Sequence, residues 1–155
     1  MSMFSMAMMA AALTWSAGPT AWHVDYAQAH AEALAGDKPL FIVFCRGGQT
    51  REGAIGGLTV SDAAERLLRT DYVRLVVDSD TAAGKQLASQ FEAGEATHVV
   101  ILDRSGKWQV YYKSGPINDG ELASAVTQFR RAKLTAEGRP IDEVVKRPVI
   151  QLCST

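Results

Sequence analysis

Three short, dense apolar runs, Leu40–Cys45, Tyr72–Val77 and His98–Leu102, limit most strongly what this chain can fold into. Leu40–Cys45 has no polar position at all, and such a run suits a strand covered on both faces. The segments between the runs read as helices. Asp25 caps one through Ala35, with Tyr26, Ala29, Ala33 and Leu34 inward and Gly36 just past its end. A second runs from Ser61 to about Arg69 with Leu67 and Leu68 inward, and Thr81 caps a third that reaches Phe91, with Leu87 and Phe91 inward. Trp108–Tyr112 follows His98–Leu102 across Asp103-Arg104-Ser105-Gly106, which predicts an antiparallel hairpin. A final helix spans about Asp119 to Lys133, with Leu122, Val126 and Phe129 on one stripe. A short strand at Ala21–Val24 is compatible with the start of the domain. The order predicts an α/β fold: a mixed central sheet, parallel in its core with an antiparallel C-terminal hairpin, and helices on both faces.

At 155 residues the chain suffices for one domain with a full core. Its net charge of -1 has no basic stripe to follow a phosphate backbone, so nucleic acid is not an expected partner. Cys45 and Cys153 are the two cysteines, which fits neither a disulfide scaffold nor a structural zinc site of about four ligands.

Residues 1–35 contain no Lys or Arg, and Met1 to Leu13 is rich in Met and Ala. With the small-x-small site Thr14-Trp15-Ser16, residues 1–18 have the outline of a secretory signal, although a positive n-region is missing; a cytoplasmic leader is the alternative. The apolar run is shorter than the roughly 20 residues of a membrane span, so no integral membrane segment is expected in the mature chain. The expectation is an exported protein of the periplasm or cell envelope, with a domain over 20–134 and a tail over 135–155 interrupted by Pro140 and Pro148.

Five segments carry a family resemblance. Asp37-Lys38-Pro39-Leu40 is similar to a "gKP" entry into a central strand, and Tyr72–Asp78 to a following strand that ends in Asp. Leu87–Phe91 resembles the helix before a cis-proline loop, Thr97–Lys107 a "PT-strand-D-x-x-G-K" hairpin, and Ser114-Gly115 the entry to a closing helix. Together, from about Trp22 to Lys133, they resemble the thioredoxin-like superfamily, in particular its small exported bacterial members. The resemblance implies that the loop after the central strand forms the active face.

Three departures from the family pattern bear on function. In the family frame Gln49 and Glu52 stand where two thiols belong. Dithiol exchange needs an activated thiolate at a helix N-terminus and a second sulfur to resolve the mixed disulfide, and an amide and a carboxylate supply neither. Ala96 replaces the cis-proline, and a cis bond before a non-proline costs about 2.5–4 kcal/mol, so Glu95–Ala96 is expected to be trans. No Trp stands beside the motif. Oxidoreductase activity is therefore not expected, and no cofactor is implied.

What remains of the face is Arg46, Gly47, Gly48, Gln49, Thr50, Arg51, Glu52, Ala96 and Thr97. Its glycine-rich loop, Arg46–Thr59, matches neither phosphate-binding fingerprint. It can dock a peptide or protein segment through backbone contacts, or serve as a plain loop. Cys45 is read either as a lone nucleophilic thiol or as a small hydrophobe in a packed strand. A Cys45–Cys153 disulfide would pin the tail and contribute about 4–5 kcal/mol through the unfolded chain, given export and apposed α-carbons. His23 and His30 lack further ligands at metal spacing, so no metal is expected. His98 either lines a ligand pocket or is a satisfied strand histidine. Asp78 and Asp80 offer two carboxylates at a strand's end, where α/β ligands often bind, or Asp80 and Thr81 simply start a helix. A last alternative is an accessory protein acting through Ala136–Thr155.

Overall fold

A computed structural model describes residues 21–46, 60–94 and 96–133. In chain order the elements are α1 (Tyr26–Gly36), β1 (Leu40–Cys45), α2 (Asp62–Asp71), β2 (Val73–Asp78), α3 (Ala82–Gln90), β3 (His98–Leu102), β4 (Gln109–Ser114) and α4 (Asp119–Phe129). Each helix starts where a short polar side chain can satisfy an early backbone N–H. Asp25 accepts from Gln28, Ser61 from Ala64 and Thr81 from Gly84. Asn118 and Glu121 form a reciprocal capping box at α4.

The four strands lie in the order β2-β1-β3-β4. β1 pairs parallel with β2, while β3 joins β1 antiparallel and β4 pairs antiparallel with β3. Among the described residues, parallel pairing is thus confined to β1–β2 and to a bridge that His23 makes with Leu75. That bridge is all that forms of the expected strand at Ala21–Val24 among the described residues.

Every residue of β1 is buried, as its unbroken apolar run requires. Phe41 and Val43 face one cluster, formed with Leu68, Val126 and Phe129 under α2 and α4. Leu40, Ile42 and Phe44 face the other, formed with Ala29, Ala33, Ala88 and Phe91 under α1 and α3. At about 1.5–3 kcal/mol for each large apolar side chain removed from water, β1 is the largest concentration of driving force in the sheet. β4 is half-exposed and forms an edge.

Several expectations need correction. Leu34 is 46% exposed, because α1 meets the sheet through its small residues Ala29 and Ala33 instead. Gly36 lies inside α1, and the left-handed cap is Asp37 at φ 50°, whose N–H donates to Ala33 and Leu34 carbonyls. Asp37 tolerates this conformation as a short polar residue, and the Arg104 guanidinium holds both its carbonyl and its carboxylate. β4 runs to Ser114 after a register shift at Ile101/Leu102. α4 stops at Phe129, after which Ala132 turns back to accept from the Arg104 N–H.

Arg74 is the one charged residue inside an apolar run. It is 3% exposed, donates to Glu65 Oε1 at 3.2 Å and lies 5.2 Å from the centre of the Trp22 ring. Burial pulls its pKa down, and the Glu65 carboxylate opposes that shift.

α3 passes so close to the end of β2 that a Cβ on Gly84 would collide with the Asp78 carbonyl. Gly84→Ala should therefore cost about 2–4 kcal/mol in urea denaturation. Gly94→Ala, where a Cβ meets open space, should stay within about 0.5 kcal/mol of the parent.

Candidate functional site

The register of β1 against β3 builds the site. Phe44 lies opposite His98, so the chain leaving β1 at Cys45–Arg46 runs beside the chain entering β3 at Ala96–Thr97. Of the face expected from the sequence, Arg46, Ala96 and Thr97 are thereby brought together at one end of the sheet. Gly47, Gly48, Gln49, Thr50, Arg51 and Glu52 lie outside the described residues, as does Cys153.

His98 fixes the entry to β3. It is 2% exposed, and its Nδ1–H donates to the Ala96 carbonyl at 2.6 Å. Its ring packs 5.4 Å from that of Tyr112, whose hydroxyl donates to the Glu92 carbonyl. His98 is thus a satisfied strand histidine that holds Ala96 in place; Gly115 N–H secures the Thr97 carbonyl from the other side. Ala96 and Arg46 are exposed and Thr97 is half-buried.

Cys45 is a free thiol, 4% exposed, with Sγ–H directed at the Val77 carbonyl at 3.4 Å. Burial pushes its pKa up, and the Asp78 and Asp80 carboxylates push it further. Both effects oppose the thiolate, which is the reactive species. The geometry is that of a small hydrophobe closing the end of the strand against Val76 and Trp22.

Asp78 serves the turn that follows β2. Its Oδ1 accepts from the Asp80 N–H at 2.9 Å, and its carbonyl accepts from the Thr81 hydroxyl, which in turn caps α3. His23 pairs with Glu32 at 2.9 Å. His30 Nε2 donates to the Gly106 carbonyl and stacks on Tyr26. Neither histidine approaches a set of three metal-ligating side chains among the described residues.

One feature escaped the reading of the sequence. A cavity of about 610 Å³ opens at the carboxyl ends of β1 and β2, between the starts of α1 and α3. Val24, Tyr26, Cys45, Val77 and Leu87 supply apolar wall, and Asp25 and Asp78 supply carboxylates. The signal in the sequence is Asp78 with Asp80, carboxylates at a strand's carboxyl end where ligands often bind in α/β folds.

Comparison with protein-family models and with curated proteins gives no match. Among solved structures, the chain is similar to a thioredoxin from Thermus thermophilus, with a TM-score of 0.60 and 24% identity over 72% of this chain and 87% of that one. It is also similar to the C-terminal domain of DsbD from Neisseria meningitidis, at 0.53 and 14% over 70% and 99%. A thioredoxin variant from Halobacterium salinarum aligns at 0.51 and 16%, over 76% and 95%. At these identities the likeness is one of fold. This chain has a thioredoxin-like fold and carries no Cys-x-x-Cys pair.

A buried thiol of raised pKa should react slowly. Iodoacetamide should label native Cys45 at least about a hundredfold more slowly than the same residue in denaturant. Because the folded-state pKa is raised, the residual native rate should keep climbing at a pH where the denatured rate has levelled off. Labelling can be followed by mass spectrometry, which separates Cys45 from Cys153.

Proposed function

We propose that the chain is a thioredoxin-like domain that binds a peptide or protein segment on the face formed by Arg46–Glu52, Ala96 and Thr97, with no covalent step. The reading rests on the Phe44–His98 register, which sets two chain segments side by side and exposes Ala96 next to Arg46. An extended segment docked there would find backbone groups, the usual source of affinity in such recognition, and the residues at 49 and 51 would set specificity.

The same reading carries two further proposals. The apolar leader 1–18 is a signal that directs export to the periplasm or cell envelope. No described helix is long and apolar enough to cross a membrane. The tail beyond Leu134 is dispensable for capture.

The test is binding to a displayed library of unstructured peptides, followed by affinity measurement on the selected sequences. Gln49→Ala combined with Arg51→Ala should weaken binding at least about tenfold with the urea midpoint unchanged, equivalent to about 1.4 kcal/mol. Deletion after Leu134 should leave it intact. Loss of binding on that deletion, with full binding by the double variant, would move the interaction to Ala136–Thr155.

A further inference from the structure

We infer that the cavity at the carboxyl ends of β1 and β2 binds a small organic ammonium ion with an apolar body. This inference does not depend on the peptide-binding reading. The volume of about 610 Å³ is that of a small-molecule site. Its wall combines an aromatic ring, Tyr26, with Val24, Val77 and Leu87, and Val24 is left 71% exposed at its rim. An apolar body entering there removes that surface from water.

The sign of the head group follows from the charges. Among the described residues, Asp25 and Asp78 are the charged ones that line the cavity, and no described Lys, Arg or His lines it. The two helix starts would by themselves favour an anion. However, the Asp25 carboxylate already occupies the first turn of α1, and the Thr81 hydroxyl occupies that of α3. A negative field does reach the wall, since the Asp78 and Asp80 carboxylates both raise the pKa of Cys45, itself a lining residue. An anion would meet that field, and a neutral apolar ligand would desolvate the carboxylates without compensation. An ammonium group placed against Asp25 and Asp78 compensates them.

Three ligands of one shape and different charge test this on the full chain: 2-phenylethylammonium, 2-phenylethanol and 3-phenylpropionate, titrated while backbone amide shifts are followed. The ammonium should give saturable shifts at Val24, Asp78 and Gly84, with a dissociation constant of the order of 1 mM or below. The alcohol should bind at least about tenfold more weakly, and the carboxylate not at all. Asp25→Asn with Asp78→Asn removes both charges yet keeps an oxygen to accept from Gln28 and Asp80, so the turns survive. That variant should lose about tenfold in ammonium affinity. Val24→Arg, at an exposed rim position, should block the cavity with a cation of its own and abolish the shifts without unfolding the chain. The inference is overturned if the three ligands bind alike, if the shifts map elsewhere or do not saturate, or if both variants bind like the parent.

Discussion

β1 is the element on which the rest of the molecule depends. It lies between β2 and β3, pairs with both, and has every side chain buried. The two apolar clusters meet on its opposite faces, so neither helical layer has a surface to pack on without it. Its register also sets the position of everything at its carboxyl end. Phe44 opposite His98 fixes the approach of Ala96–Thr97, and Cys45 opposite Asp78 fixes the floor of the cavity. A shift of one residue would turn Phe41 and Val43 toward the wrong cluster, which gives the register a large energetic margin.

The chemistry available at that end is set by what stands there. The sequence after the central strand carries no Cys-x-x-Cys pair. The one nearby thiol is buried, points at a carbonyl and faces two carboxylates, three conditions that each keep its proton in place. The buried imidazole of His98, on the neighbouring strand, spends its Nδ1–H on Ala96 and so acts as a brace.

Much of the fold was legible because the strands are so concentrated. Leu40–Cys45 and His98–Leu102 stand where an apolar run of that length predicts them, and Asp25 and Thr81 cap the helices they were read to cap. Errors arose where tertiary contacts overrode a local rule. Gly36 carries the usual sign of a helix end, yet the cap moved to Asp37 because Arg104, distant in sequence, grips that residue. Leu34 was read as inward from spacing, whereas α1 approaches the sheet through alanines that permit closer packing. Arg74 lies within the apolar run Tyr72–Val77 and is a buried partner of Glu65 and Trp22, a contact between three separate segments that no local pattern records. The cavity was illegible for the same reason: its wall comes from α1, β1, β2 and α3, and its carboxylates each had a sufficient local explanation as a cap or a turn.

The central claim is that this fold works here without electron transfer through paired thiols. Its most direct measurement is the turnover of insulin disulfides in the presence of dithiothreitol, with the purified full chain compared against reductant alone. The account predicts that the precipitation of reduced insulin begins no earlier with the protein than without it. Catalytic acceleration that rises with protein concentration and disappears on Cys45→Ser would contradict it.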